Sequence, residues 1–203
     1  MALSAGEPRQ TPAETCQAPP WPPVQVRFSP ELSILRRPDI VRDRKQFGQW
    51  ECDLIQFRTK FGKANITSLV ERVGRFSVFL RNNGRPSRSI MEGLIDALGP
   101  LRHAARRSLT FDRGTEFTDW PYLQAGLGVE TWFCDPQSPW QKGTVENTNR
   151  RARRWLSIDT GPFSIDDRDL HQVCAHLYST PRKCLGFRTP AEVFRQKLVA
   201  ARR

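Results

Sequence analysis

The sequence predicts an α/β fold in which a mixed sheet of five strands is flanked by helices. The folded region opens with three strand-like segments that have no helix between them. After these, strand-like segments alternate with segments of helical periodicity. An opening meander gives antiparallel neighbours, whereas strands joined through helices usually run parallel, so we expect a sheet with both strand directions.

The three opening strands are predicted from apolar, β-rich runs. Residues 50–57 form the first strand, in which Asp53 stands among apolar neighbours. Residues 66–80 supply two more β-rich runs around a polar Glu71-Arg72 pair and Gly74, as a hairpin would. These segments predict the antiparallel part of the sheet.

The later elements alternate between helix and strand. Ser87–Leu98 carries apolar residues at helical spacing and begins directly after Pro86. A short strand at 107–111, a helix around 118–126 and a strand at 129–134 follow in the sequence. A longer helix is then predicted from Gly143, or just before it, to about Leu156.

Composition divides the chain into an amino-terminal segment and a folded core. Eight of the sixteen prolines lie between Pro8 and Pro38, and proline lacks the backbone donor that helices and central strands need. Residues 1–30 are therefore predicted to be disordered. The charged residues of 31–45 predict a basic lead-in arm, which is either a solvated linker or a contact to phosphate. The folded core is expected at 46–200.

The charge balance points to a polyanionic partner. The 203 residues include 32 Lys and Arg against 21 Asp and Glu, a net charge of +11. Such a balance favours nucleic acid first and an acidic membrane surface second. No apolar run approaches the length of about 18 residues that spans a bilayer, and the first ten residues contain no apolar signal core. The sequence therefore predicts an intracellular protein without a membrane segment.

The cysteines favour free thiols. Their number is five and none belongs to a C-x-x-C pair, which argues against a disulfide framework or a zinc knuckle. His171, Cys174 and His176 lie within six residues, but tetrahedral zinc usually takes four ligands and no fourth accompanies them. Polar packing is the better interpretation of this cluster.

Three acids occur in contexts that suggest one metal site. Asp53 lies in an apolar strand, where a charge is costly unless it is paired or metal-bound, and Asp112 ends a strand at a glycine turn. Glu146 lies in the first turn of the predicted long helix. Carboxylates without His or Cys favour Mg²⁺, or Mn²⁺ as its substitute, and two such ions are suited to displacement at phosphorus. Glu116 and Asp135 are nearby rivals, better explained as an exposed acid and a turn acid.

Basic residues near Glu146 predict a DNA-facing surface. Asn149, Arg150 and Arg153 follow Glu146 at spacings that share its helix face. Phosphate contacts dominate affinity for DNA, so a basic face beside the acids favours DNA over a merely solvated helix. The predicted DNA-binding residues are Lys142, Asn149, Arg150, Arg153, Arg182 and Lys183. Trp140 is interpreted as a packing residue rather than a base-stacking one.

Four segments in order resemble the insertion-sequence-thirty group of bacterial transposases, within the retroviral-integrase-like class. The resemblance extends from about residue 36 to residue 197. The segments are Gly48-Gln49-Trp50-Glu51-Cys52-Asp53-Leu54-Ile55, Asp112-Arg113-Gly114-Thr115-Glu116-Phe117, the stretch 136–149 and the stretch 181–194. The 33 residues between Asp112 and Glu146 match the spacing in that group.

This resemblance implies an RNase H-like fold, the integrase catalytic core, at 46–200. It also implies that Asp53, Asp112 and Glu146 form a DDE triad that is both catalytic and metal-binding. In such enzymes a metal-activated water frees a 3′-hydroxyl at the element's end, and that hydroxyl attacks target DNA. The implied partners are insertion-sequence ends, target DNA and further copies of the chain. The implied location is the bacterial cytoplasm, at the nucleoid.

Departures from the pattern leave alternatives open. Gln49, Cys52 and Arg113 replace the more usual His, Gly and Asn, although all three acids remain. Relatives carry an amino-terminal helix-turn-helix region that reads the terminal repeats, and the Pro-rich residues 1–28 show no pattern for one. The chain is therefore expected to be either an active recombinase core or a truncated, idle remnant that binds DNA or full-length transposase. An unrelated RNase H-like nuclease is a weaker alternative.

Overall fold

A computed structural model describes residues 28–159 and 161–201 of the chain. The disorder predicted for residues 1–30 therefore lies almost wholly outside the described residues. The strands are β1 (Gln49–Gln56), β2 (Asn65–Glu71), β3 (Ser77–Asn82), β4 (Ser108–Phe111) and β5 (Glu130–Phe133). The α-helices are α1 (Asp39–Arg42), α2 (Ser87–Leu98), α3 (Trp120–Leu127), α4 (Gly143–Ala152), α5 (Asp167–Ser179) and α6 (Pro190–Ala200).

The five strands form one mixed sheet in the order β3-β2-β1-β4-β5. β1, β2 and β3 pair antiparallel, as the predicted meander requires. β1 pairs with β4, and β4 with β5, in parallel. The predicted mixed five-stranded sheet flanked by helices is confirmed, and β1 lies at its centre, between the antiparallel and the parallel parts.

The two faces of the sheet carry separate apolar clusters. Trp50, Cys52 and Leu54 alternate along β1 and belong to the cluster that also contains the apolar residues of α2 and α3. Ile55 belongs to the second cluster, with residues of α5 and the end of α4. Because side chains alternate along a strand, Glu51 and Asp53 lie on the same face as Ile55. This alternation directs two acids of β1 towards the side of the sheet that α4 covers.

Three helical features differ from the sequence prediction. α4 ends at Ala152, not near Leu156, although Leu156 is still buried after the helix ends. α5 and α6 were not predicted. Both begin with a capping box, Asp166 with Asp169 and Thr189 with Glu192, in which each side chain bonds to the other's backbone N–H. An S/T/D-x-x-D/E pattern of this kind is a helix-start signal that a sequence search can use.

The lead-in arm at 31–45 lies against the core and is not wholly solvated. Ser33 forms a parallel bridge with Phe133 at the end of β5, and Ile34 and Val41 are buried. Arg37 is also buried and donates a hydrogen bond to the Thr110 hydroxyl at 3.3 Å. The arm therefore covers the β4–β5 side of the sheet. Among the described residues, no helix is long and apolar enough to cross a membrane.

Candidate active site

The three predicted acids line one cavity of ≈ 460 Å³. Asp53 lies in β1 and Asp112 directly follows β4. The parallel register pairs Gln49 with Ser108 and Glu51 with Thr110, so two residues further along Asp53 stands opposite Asp112. Glu146 lies in the first turn of α4. The pairing of β1 with β4 and the position of the first turn of α4 thus bring together three acids that are far apart in the sequence.

Lys142 lies between the two aspartates. Its ammonium donates to Asp53 Oδ1 at 3.0 Å and to Asp112 Oδ2 at 2.8 Å. It also donates to the Cys52 carbonyl at 3.3 Å, and the lysine is buried. Burial alone would lower the pKa of Lys142, but the Asp53 and Asp112 carboxylates outweigh burial and raise that pKa above its ordinary value. Lys142 is therefore a charged counter-ion at the centre of the cavity.

Glu146 lines the same cavity and has no hydrogen bond to either aspartate within the described residues. Burial raises the pKa of Glu146, the nearby Asp53 charge adds to this, and Lys142 acts in the opposite direction. In the part of the chain that the structure describes, no group of three His, Cys, Asp or Glu side chains converges as a metal-ligand set. The aspartates instead converge on the lysine.

Two neighbours hold the aspartates in place. Asn149, one turn after Glu146 on α4, donates to Asp53 Oδ2 at 3.0 Å. The Gly114 backbone N–H donates to Asp112 Oδ1 at 3.0 Å. Each aspartate thus uses one oxygen for Lys142 and the other for a neutral donor. This arrangement fixes both side chains around one positive charge.

Glu51 is a buried residue of the site region that the sequence analysis missed. Its Oε2 accepts the backbone N–H groups of Thr144 and Val145, both at 2.9 Å, at the start of α4. Its Oε1 pairs with the Arg72 Nε at 2.9 Å, and both side chains are buried. Because α4 carries Glu146, Glu51 fixes the position of that acid relative to β1. The signal was available in the sequence, since Glu51 precedes Asp53 by two residues and therefore shares its strand face.

The rival acids have other partners. Asp135 pairs with Arg113 at 3.5 Å and accepts from the Gln141 amide at 2.9 Å. Glu116 lines the cavity near Asp112 without an ion pair among the described residues. Asp135 thus serves the loop before α4, and its role is structural.

The predicted DNA-binding residues divide into three groups. Lys142 and Asn149 bond to the aspartates, as described above. Arg150 is exposed and lines a surface cavity with Glu146, whereas Arg153 bonds to the Gln56 carbonyl at the end of β1 and is half-buried. Arg182 and Lys183 lie in a different cavity from the triad. The structure therefore does not bring the six residues together on one surface.

Trp140 is 73% exposed, so the packing role expected for it is wrong. It lies in the short turn Pro139–Lys142 directly before α4, where a bulky side chain has no apolar cluster to enter. Trp155 is also partly exposed, and its ring stacks on His176 of α5 with centroids 5.3 Å apart. Cys174, in the same helix, is buried in the second apolar cluster.

Sequence comparison finds transposases. No family model matches the chain. The chain is 39% identical over 153 residues to the transposase InsI of insertion sequence element IS30C from Escherichia coli strain K12. The aligned region covers 75% of this chain and 39% of that transposase. It is also 35% identical over 167 residues to the transposase of IS1086 from Cupriavidus metallidurans, and this alignment covers 82% of this chain and 49% of that transposase. The chain thus spans less than half of the length of these relatives.

Structural comparison finds integrase cores. The catalytic core domain of BIV integrase superposes on this chain with a TM-score of 0.61 at 18% sequence identity. The superposition covers 77% of this chain and 99% of the integrase domain. A chain of the simian T-cell lymphotropic virus intasome gives a TM-score of 0.61 at 16% identity, with 73% and 54% coverage. The predicted RNase H-like, integrase-core fold is confirmed.

Proposed function

Because this chain contains the core of an IS30-type DDE transposase, we propose that it cuts and joins DNA strands at a site formed by Asp53, Asp112 and Glu146. The observation that carries the proposal is the convergence of Asp53 and Asp112 from neighbouring parallel strands on one positive charge, with Glu146 on the wall of the same cavity. The partners in this proposal are the ends of an insertion sequence and a target DNA, and the working form is a homo-oligomer.

The donor set fits a hard divalent cation. Asp53, Asp112 and Glu146 offer only carboxylate oxygens, which suit Mg²⁺ or Mn²⁺. When bound, one or two such ions supply Lewis-acid activation of the attacking and leaving oxygens at phosphorus. The two aspartates already face a cation at distances of 2.8 and 3.0 Å, so their oxygens are arranged to accept positive charge.

The remaining residues have supporting roles in this proposal. Asn149 orients the Asp53 carboxylate, and Glu51 anchors the start of α4 so that Glu146 faces the cavity. Arg150, exposed beside Glu146, binds a phosphate of the DNA strand that is cut. These contacts keep the acids in place before any DNA arrives, which is the preorganisation that phosphoryl transfer requires.

A plasmid assay tests the proposed function. We expect the chain to nick supercoiled DNA, and to join an oligonucleotide bearing a free 3′-hydroxyl to it, only in the presence of Mg²⁺ or Mn²⁺. Excess chelator should abolish both products, because the carboxylates alone cannot activate water for nicking or the 3′-hydroxyl for joining. Equal nicking with and without chelator would exclude a metal-dependent mechanism. DNA binding without cleavage under any metal condition would favour the idle-remnant interpretation.

Lys142 is proposed to occupy the place of a metal ion in the metal-free protein. Its ammonium neutralises Asp53 and Asp112 and must leave this position before a divalent cation can contact both carboxylates. Lys142→Met keeps the length of the side chain and removes the competing charge. We expect it to bind Mn²⁺ about tenfold more tightly than the wild type, as measured by titration calorimetry.

A matched control separates this local effect from the change in net charge. Lys63→Met removes an exposed lysine that lies outside the cavity, and its Mn²⁺ affinity should equal that of the wild type. An unchanged or weaker affinity of Lys142→Met would show that the ammonium does not compete with the ion.

A further inference from the structure

A basic groove lies beside α4, on a face other than the one that carries Glu146. It is a cavity of ≈ 400 Å³ between α4 and the loop that connects α5 to α6. An adjoining cavity of ≈ 540 Å³ shares Arg44, Arg75 and Cys184 with it and extends towards α6. Among the described residues, no acidic side chain lines either cavity. The cations that line the first cavity are Arg44, Arg75, Arg151, Arg182 and Lys183, and we call this set the basic groove.

The cations of the basic groove lack acidic partners. Among the described residues, none of the five forms an ion pair, since the ion pairs of the chain involve other arginines and lysines. Burial lowers the pKa of Arg75, and the nearby charge of Arg44 lowers it further. Like charges held together without a counter-ion raise the free energy of the protein. A bound anion would relieve this repulsion.

Most of the groove lies on a different face of α4 from Glu146, and the two meet at Gly143 and Asn147, which line both the groove and the surface cavity that contains Glu146 and Arg150. Thr144, Thr148 and Arg151 line the groove and are spaced by four and three residues, so they share one helix face. Glu146 and Asn149 project from the opposite face, about 160° away at 100° per residue. A helix is about 10 Å across with its side chains, so the two sites lie on either side of one helical rod.

The side chains of the groove combine fixed and free cations. Arg75 donates to the Thr144 hydroxyl at 2.8 Å, and Arg182 donates to the Leu177 carbonyl at 2.8 Å. Arg151 and Lys183 are exposed and have no hydrogen bond or ion pair from their side chains among the described residues. Two anchored arginines define the groove, and two free cations are available to a ligand.

We propose that the basic groove binds the sugar-phosphate backbone of a DNA segment other than the one cut at the triad. Several cations without ion pairs among the described residues, lining two adjoining cavities, fit a polymer of regularly spaced phosphates. The inference rests on the proposed function in taking DNA as the polyanion. Strand joining needs two DNA segments near one site, and α4 then separates them.

The test uses the double variant Arg151→Gln/Lys183→Gln in the full chain, with binding to a duplex measured by fluorescence anisotropy in chelator. Because no metal is present, binding is measured without cleavage. If each cation contacts one phosphate, the slope of log affinity against log salt concentration falls in magnitude by about 2. The matched control Arg102→Gln/Lys63→Gln removes the same charges from exposed positions outside the groove and should keep the wild-type slope.

Cys184 provides a second measurement within the groove. It is exposed, whereas Cys52, Cys134 and Cys174 are buried. Alkylation of Cys184, followed by peptide mass mapping, should slow severalfold when the duplex is bound. An equal slope for the two double variants, or unchanged alkylation on saturating DNA, would overturn the inference.

The two proposals fail separately in these experiments. If the groove variant weakens binding as expected but no metal-dependent cleavage is found, the groove stands and the proposed function does not. If cleavage is found and the groove variant binds like its control, the triad assignment stands and the groove inference does not.

Discussion

Asp112→Ala is expected to lower metal-dependent nicking of DNA by at least about 100-fold while the protein stays folded. Loss of residues that only orient metal ligands already costs 10–100-fold in many enzymes, so loss of a ligand itself should cost more. Asp112 is the acid that β4 presents opposite Asp53, and no other carboxylate in the cavity has the same relation to β1. The measurement is the initial rate of plasmid nicking in Mn²⁺.

The fold should tolerate this substitution because Asp112 is not a core residue. Its side chain is 43% exposed and follows the end of β4. Alanine removes one acceptor from Gly114 and one from Lys142, but Lys142 keeps Asp53 and the Cys52 carbonyl. Circular dichroism and the thermal midpoint should therefore stay close to those of the wild type. If Asp112→Ala does not fold, Asp112→Asn takes its place, because asparagine keeps the shape of the side chain and one acceptor oxygen.

The rival acids provide matched controls. Glu116→Gln and Asp135→Asn each remove one negative charge from the wall of the same cavity. Their nicking rates should remain within a few fold of wild type, because neither side chain contacts Lys142 or Asp53. Nicking by Asp112→Ala at the wild-type rate, or an equal loss in all three variants, would contradict the assignment of Asp112.

Local sequence patterns were enough to predict the mixed sheet and to place Asp53 in one strand and Asp112 at the end of another, and these two strands are neighbours in the sheet. β1 is a largely apolar run that contains the acids Glu51 and Asp53, and β4 is an apolar run followed directly by Asp112. A buried charge in such a run needs a specific partner. Adjacent parallel strands then bring Asp53 and Asp112 to the same end of the sheet. The pattern could not show that Lys142 lies between them, because that contact depends on how the 3₁₀ turn before α4 folds back over β1.

The surfaces of α4 illustrate the limit of helical spacing as a guide. Spacing correctly grouped Asn149 and Arg150 with Glu146. It also grouped Arg153 with them, but that side chain instead bonds to the Gln56 carbonyl and lies over the ring of Phe57. Spacing also gave no reason to pair Arg151 with Arg182 and Lys183, since that groove forms only when the loop after α5 packs beside the helix. Tertiary contacts decide which cations remain free for DNA.

Glu51 shows why a buried carboxylate can be decisive for stability. It accepts two backbone N–H groups at the start of α4 and neutralises Arg72, which also donates to the Val41 carbonyl of α1. One side chain thus connects the central strand, the hairpin after β2, the lead-in arm and the helix that carries Glu146. Removing it leaves the buried Arg72 charge without its counter-ion and the backbone N–H groups of Thr144 and Val145 without that acceptor.

We expect Glu51→Ala to lower the free energy of unfolding by about 3–5 kcal/mol, the range found when one partner of a buried ion pair is removed. The measurement is urea denaturation of the wild type and of the variant under the same conditions. The double variant Glu51→Leu/Arg72→Met replaces the pair by apolar side chains and should recover part of the loss, because no charge is left buried without a partner.

Glu71→Gln is the matched control, because Glu71 is equally buried and pairs with no arginine in the part of the chain that the structure describes. Its carboxylate accepts backbone N–H groups, among them those of Gly48, Val73 and Gly74, and burial raises its pKa above the ordinary value. The neutral amide keeps one acceptor oxygen, enough for Val73 and Gly74, and loses the acceptor for Gly48. The loss of unfolding free energy should still be smaller than for Glu51→Gln, which also leaves the Arg72 charge without its counter-ion. Two results would show that the Glu51–Arg72 pair does not hold α4 in place. One is an equal loss of unfolding free energy for Glu51→Gln and Glu71→Gln, and the other is a loss below about 1 kcal/mol for Glu51→Ala.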